Sequence, residues 1–158
     1  MIGKIALGLF LFIMGVVLSI VLESFLGNLV RNLYVWTTKG GIQLVGKNFY
    51  LFADLVYYVG FGISLSLVAL EKRLLLKDTL RRLVIWLIIF MTSVIVICAV
   101  DAHLKLIECT ACNDGIRKLP YSAINYGLIL GVSALVGGIP SMVRLTKDVL
   151  RSIKYRFG

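Results

Sequence analysis

The sequence contains few of the residues from which most catalytic sites are built. Its 158 residues include one histidine, three cysteines and eight acidic residues. A single histidine excludes a bis-histidine haem site, and three cysteines cannot form two separate thiol pairs. The sequence also lacks a nucleophile–base pair, a phosphate-binding loop and a nucleotide-binding motif. We therefore expect a protein that is not an enzyme and that needs no cofactor.

Charged residues are also scarce, at 16% of the chain against 59% hydrophobic residues, and the mean hydropathy is +0.96. Soluble domains stay closer to half apolar. The 17 lysines and arginines give a net charge of +9, which in a soluble protein would suggest nucleic acid. Here they lie between long apolar runs, where positive charge sets membrane orientation. We expect a single membrane domain, 1–158, that does not bind nucleic acid.

Four apolar runs are long enough to cross a bilayer. Runs 5–22, 83–100 and 119–143 carry no charge, and run 49–70 carries only Asp54. An 18-residue helix spans about 27 Å, close to the thickness of a hydrocarbon core. The sequence predicts an all-α integral membrane protein whose four transmembrane helices form a compact bundle. The predicted helices lie at about 5–28, 49–70, 83–104 and 119–143.

The basic residues indicate how these helices are oriented. Lys4, the segment between the second and third helices, and the segment after the fourth hold eleven of the 17 basic residues. Because positive residues collect on the cytoplasmic side, both termini are predicted to be cytoplasmic in a bacterial inner membrane. Helices one and three then run outward, and helices two and four run inward.

The segment 144–158 is predicted to form a short basic amphipathic helix. Its basic residues fall on one face, opposite a face of apolar residues at spacing four. Such a helix suits the anionic inner leaflet of the bilayer. The predicted lipid contacts are Arg144, Lys147, Arg151 and Lys154.

The fourth helix has a stripe of small residues at alternating spacings of four and three. Small faces let helix backbones approach closely in lipid. The stripe is interpreted either as packing within the bundle or as a contact face for a partner. Its members are Gly127, Gly131, Ala134, Gly138 and Ser141.

Polar residues near the outer membrane boundary are candidates for an ion or proton site. With the predicted topology, Glu23 and Asp101 lie at the outer ends of helices one and three, and Asn125 lies near the start of helix four. Asp54 lies inside the second run and is predicted to be the deepest of the acidic residues. A carboxylate within a membrane is costly and is a functional candidate by default.

The cysteines leave three interpretations open. Cys109 and Cys112 form a C-x-x-C pair in the outer loop, which favours a small structural disulfide. Asp101, His103, Cys109 and Cys112 are chemically suitable zinc ligands, but their spacing matches no recurring zinc pattern. The pair is similar to that of the quinone-linked disulfide oxidases and vitamin K epoxide reductases, small bundles that need a second cysteine pair. Only Cys98 is left to form one.

The tripeptide Phe52-Ala53-Asp54 resembles a sequence motif found in the lipoprotein signal peptidases. These are four-helix proteins with two membrane aspartates. The aspartates of that family lie on later helices within asparagine-containing motifs. Asp54 and Asp101 lack those motifs, so no residue roles are carried over.

These observations favour a non-catalytic subunit of an inner-membrane complex, related to transport or translocation, that contacts a larger partner through its helix faces. The first alternative is a homo-oligomeric ion channel or proton- or cation-coupled carrier that uses the outer carboxylates. The second alternative is a membrane thiol–disulfide oxidoreductase. No sequence motif decides between a larger partner and self-association.

Overall fold

The computed structural model describes residues 2–46, 54–69, 76–107 and 116–157. Four α-helices occur in these segments: α1 (Ile2–Thr37), α2 (Leu55–Ala69), α3 (Leu76–Ile107) and α4 (Tyr126–Phe157). Of the described residues 85% are helical, so the predicted helical class is confirmed. Three helices have segments long and apolar enough to cross a membrane, at Ala6–Thr37, Leu80–Ile107 and Tyr121–Lys147. In α2 the apolar segment Leu55–Val68 is shorter, so a fourth span stays a prediction.

Two short strands, which the sequence did not predict, lie between the helices. Strand β1 (Ile42–Val45) pairs in parallel with β2 (Arg117–Pro120), with Ile42 opposite Arg117. We call the end of the bundle that holds these strands the strand end. The opposite end, where α1 begins and α4 finishes, is the terminal end.

Helix α1 continues nine residues beyond its predicted end at 28. It ends where Lys39 and Gly40 adopt positive φ angles of 50° and 82°. The N–H of Gly40 donates to the Val35 carbonyl at 3.0 Å, which satisfies one of the last helical carbonyl groups. No proline interrupts the helix before this point, so Glu23 lies within α1 instead of at its outer end.

The predicted start of the fourth helix at 119 is wrong. Residues 117–120 form β2, a 3-10 turn follows at Tyr121–Ala123, and α4 begins at Tyr126. Pairing with β1 holds the segment extended, and proline is tolerated at Pro120 because β2 is an edge strand of this two-stranded sheet.

The basic helix predicted from residue 144 onward forms as the continuation of α4, as far as Phe157. One helix of 32 residues runs through Pro140 to Phe157. An internal proline removes one backbone hydrogen bond, and the helix continues on both sides of Pro140.

Helix α2 lies between α1 and α4 and contacts both through residues without bulky side chains. A Cβ on Gly15 of α1 would lie 2.9 Å from the Gly62 Cα, and a Cβ on Gly60 would lie 2.7 Å from the Gly131 carbonyl oxygen. Tyr57 of α2 donates to the Ser19 carbonyl of α1 at 2.6 Å. The paired positions show that α2 runs antiparallel to α1 and parallel to α4.

The bundle is apolar outside and partly polar inside. The described parts of α1 and α3 expose long rows of large apolar side chains, whereas Ser19, Glu23, Ser64 and Ser133 are at most 1% exposed. Lipid solvates an apolar exterior, and buried polar groups then hydrogen-bond between or along helices. This distribution of side chains suits a bilayer.

Candidate functional site

The small-residue stripe of α4 faces α2 of the same chain. A Cβ on Gly131 would lie 2.5 Å from the Val56 carbonyl oxygen, and one on Gly138 would lie 3.3 Å from the Ser64 Cα. Ala134 and Ser141 are buried, and Gly127 lies against the Asp54 side chain. The interpretation of this stripe as a partner face is therefore wrong: the backbone of α2 already occupies it.

Asp101 joins three elements at the strand end. Tyr34 of α1 donates a hydrogen bond to Oδ2 of Asp101, and the Lys105 ammonium lies 3.0 Å from the same oxygen. Lys105 also donates to the Ala123 carbonyl at 2.7 Å, in the turn before α4. Asp101 is thus engaged by a hydroxyl and an ammonium that connect α1, α3 and the start of α4.

Arg31 forms a second connection at the strand end. Its Nε donates to the Tyr126 hydroxyl at 3.1 Å, and one of its terminal nitrogens donates to Asn28 Oδ1 at 3.0 Å. Its guanidinium lies 5.0 Å from the ring centroid of Tyr121 and 5.4 Å from that of Tyr126, within the range of cation–π attraction. Arg31 is only 8% exposed, so this arrangement anchors α1 to α4.

Asp54, the strongest sequence candidate, lies at the start of α2. Its Oδ1 accepts the backbone N–H of Val56 at 2.8 Å, and its own carbonyl accepts the N–H of Tyr58 at 3.2 Å. A helix begins with unpaired N–H groups, and aspartate is one of the preferred residues to satisfy them. The geometry gives Asp54 a helix-capping role.

Glu23 is more enclosed than Asp54, contrary to the sequence-based ranking. It is 1% exposed, and its Oε2 accepts the Tyr58 hydroxyl at 3.1 Å, whereas Asp54 is half-buried. Tyr58 lies one helical turn beyond Asp54 towards the terminal end. Among the acidic residues whose side chains are described, Glu23 is therefore the one enclosed within the helix bundle.

Asn125 does not join these groups. Its side chain is exposed, and its carbonyl accepts the N–H of Ile129 at 3.0 Å at the start of α4. Glu23 and Asp101, both predicted at the outer ends of their helices, lie at different levels, because Glu23 is eleven residues, about 16 Å along α1, from the Tyr34 that contacts Asp101.

The zinc alternative gains no geometric support. His103 is exposed, and its Nδ1 donates to the Ala99 carbonyl at 2.8 Å. Within the described segments, no group of three histidine, cysteine, aspartate or glutamate residues is placed to hold a metal ion. Cys109 and Cys112 lie outside the described residues, as does their predicted disulfide.

An open cleft of about 590 Å³ lies at the strand end between the last turns of α1 and strand β1. Its polar lining comes from residues that the sequence did not single out as a group: Asn28, Arg31, Asn32, Gln43 and Tyr121. A parallel pairing between residues 75 positions apart has no local sequence signal, so the cleft was not predictable.

The predicted lipid-contact residues all lie on the last part of α4. Arg144 and Lys147 are exposed. Arg151 and Lys154 belong to the same helix, and their side chains are outside the described set. Their common helix begins inside the apolar bundle.

No protein-family model matches the sequence, and comparisons with curated proteins and with solved structures found no similar chain.

Proposed function

We propose that this protein is a four-span, non-catalytic subunit of a bacterial inner-membrane complex, related to transport or translocation. In this proposal both termini are cytoplasmic, and a larger membrane protein binds the exposed faces of α1 and α3. The main support is how little of these helices the chain itself covers. In α1 and in α3, only 22% of the residues in the apolar 18-residue stretch are buried, against 44% in the corresponding stretch of α4.

The interior of the described bundle is compatible with a rigid scaffold. Glycine contacts on both sides hold the α2 backbone directly against α1 and α4. Tyr34, Asp101 and Lys105 bond to one another at the strand end. Polar groups engaged in this way fix the positions of helices instead of forming a polar route between them.

The exposed face of α1 includes large side chains that give a partner substantial contact area. Phe10, Phe25 and Trp36 are 58%, 66% and 72% exposed. Aromatic residues contribute strongly to protein interfaces because they bury large areas with few rotatable bonds. With the small face of α4 occupied, α1 and α3 offer the surfaces for a partner.

Site-specific photocrosslinking in native membranes tests this proposal. A photoreactive residue at Phe10 or Val21 of α1 is expected to capture a larger membrane protein. The matched control is Leu128 of α4, which is 51% exposed and should capture only lipid. Capture of lipid alone at every α1 and α3 position would overturn the proposal.

The enclosed position of Glu23 favours one alternative, a homo-oligomeric proton- or cation-coupled carrier. A carboxyl group enclosed within the bundle, beside a tyrosine hydroxyl, is a candidate for binding a transported proton or cation. Crosslinked species at multiples of the chain's own mass would support it. Ion or proton flux in liposomes that is abolished by Glu23→Gln, with folding intact, would establish it over the subunit proposal.

A further inference from the structure

The terminal end of the bundle contains a basic cleft between α3 and α4. Its volume is about 260 Å³, and it is lined by Arg81, Arg82, Ile85 and Arg144. Arg81 and Arg82 immediately precede the apolar part of α3, and Arg144 immediately follows the apolar part of α4. Both helices therefore place guanidinium groups at the level where lipid headgroups meet the hydrocarbon core.

A second, smaller cavity of about 10 Å³ extends from this cleft towards the core and shares Arg82, Ile85 and Arg144 with it. Trp86 lines this cavity and is 7% exposed. Its indole nitrogen is a buried donor with no hydrogen-bond partner among the described residues. Buried donors are nearly always paired in proteins, so the cavity is chemically suited to an acceptor oxygen.

We propose that this cleft binds the phosphate group of an anionic phospholipid. Guanidinium groups form paired hydrogen bonds with phosphate oxygens. Basic pockets between transmembrane helices on the cytoplasmic side are suited to acidic headgroups. The smaller cavity has room for one water molecule, through which the Trp86 N–H connects to the phosphate.

The described residues that line the cleft are three arginines and one isoleucine. Asp78 lies four residues before Arg82 on α3, and Asp148 lies four residues after Arg144 on α4. Each acid is one helical turn from its arginine. The exposed guanidinium groups of Arg81 and Arg144 give the lining its positive charge.

The apolar surroundings fit the rest of a lipid molecule. Towards the middle of the bundle, α3 exposes Leu83 and Val84, and α4 exposes Ile139 and Val143. Acyl chains can lie against these side chains while the headgroup occupies the cleft. Free phosphate lacks this second contact, which distinguishes the two possible sources of the phosphate group.

Native mass spectrometry of the protein purified in neutral detergent tests the proposal. Added phosphatidylglycerol is expected to remain bound at a defined stoichiometry, and phosphatidylcholine is not. Arg81→Gln and Arg144→Gln should each lower the affinity for phosphatidylglycerol about fivefold. Both side chains are exposed, so the variants should keep the parent's gel-filtration profile.

Lys118→Gln is the matched control, because Lys118 is exposed on β2 at the strand end and does not line the cleft. An equal loss of affinity in this variant would show general surface attraction and overturn the site. Equal thermal stabilisation by inorganic phosphate and by phosphatidylglycerol would overturn the lipid assignment. Trp86→Phe, which keeps a ring and removes the donor, should weaken lipid binding roughly fivefold, the scale of one hydrogen bond.

Discussion

Gly60 of α2 and Gly131 of α4 are in backbone contact: a Cβ on Gly60 would lie 3.1 Å from the Gly131 Cα and 2.7 Å from its carbonyl oxygen. Together with the contact between Gly15 and Gly62, it places α2 against backbone on two sides. Small residues in membrane helices permit such approaches because no side chain separates the helices. The packing of α2 therefore depends on glycines of all three helices.

Gly131→Leu should prevent correct folding of the bundle. The new side chain would meet the Val56 carbonyl, which belongs to backbone and cannot rotate away. We expect a loss of stability of about 3 kcal/mol or more, at the upper end of the cost of overpacking. The measurement is the yield of monodisperse protein and its melting temperature in detergent.

Leu128→Ala is the control for this substitution. Leu128 is 51% exposed on the same helix, so a change of about 1 kcal/mol or less is expected. Leu130 is fully buried and is not a suitable control. A Gly131→Leu protein as stable as the parent would contradict the described contact between α2 and α4.

The hydrogen bond between Tyr34 and Asp101 should couple α1 to α3. Tyr34→Phe removes the donor hydroxyl, and Asp101→Asn removes the charge that also attracts Lys105. Each substitution should lower the free energy of unfolding by about 1–3 kcal/mol. In a double-mutant cycle the combined loss should be smaller than the sum of the single losses.

His103→Ala serves as the control for this cycle, because His103 is exposed on α3 and its ring hydrogen-bonds to the Ala99 carbonyl. Strict additivity of the Tyr34 and Asp101 substitutions would show that the two side chains do not interact. Unfolding in mixed micelles with increasing denaturing detergent gives the required free energies.

Substitutions of Asp54 distinguish a helix-capping role from an ion-binding role. Asp54→Asn removes the charge but keeps an oxygen that can accept the Val56 N–H, and asparagine caps helices as well as aspartate does. Its stability should stay within about 0.5 kcal/mol of the parent. Asp54→Ala removes the cap and should cost about 1 kcal/mol.

The same pair of variants tests the carrier alternative. If Asp54 only caps α2, Asp54→Asn should retain the protein's cellular function, and Asp54→Ala should affect it through stability alone. Full loss of function in a stable Asp54→Asn protein would show that the charge of Asp54 is needed for function, and that Asp54 does not act only as a helix cap.

Long apolar runs predicted the helices of this chain because 18 consecutive uncharged, mostly apolar residues are typical of a helix that crosses a membrane. The small stripe of α4 was also recognisable, but its neighbour was not. Spacing shows that Gly127, Gly131 and Gly138 share a face, yet only the fold shows that Gly60 and Ser64 lie opposite. Which neighbour a helix face packs against depends on the tertiary structure, and the local sequence of the helix does not show it.

The polar groups were harder to predict because their partners are far apart in sequence. Tyr34 and Asp101 are 67 positions apart, and Arg31 and Tyr126 are 95 apart. The sequence identified Asp101 by its charge but gave no reason to select Tyr34 or Tyr126. Glu23 was placed at the boundary because its own run of uncharged residues ends there, although the helix continues for fourteen residues beyond it.

The predicted topology follows from the basic residues and fits the alternating helix directions. The described structure places the start of α1 and the end of α4 at one end of the bundle, and nine of the eleven basic residues assigned to the cytoplasm lie on described helices at that end. Ser152 lies in the last turns of α4, and Ser122 is exposed in the turn before α4 at the strand end. A cysteine at Ser122 should react with an impermeant thiol reagent in intact cells, and a cysteine at Ser152 should react only after the membrane is opened. Both are introduced after Cys98, Cys109 and Cys112 are replaced by serine, so that no native thiol contributes. Efficient labelling at Ser152 in intact cells would contradict the predicted orientation and would place the arginine cleft in the opposite leaflet. The positive residues would then face outward, against the usual charge bias.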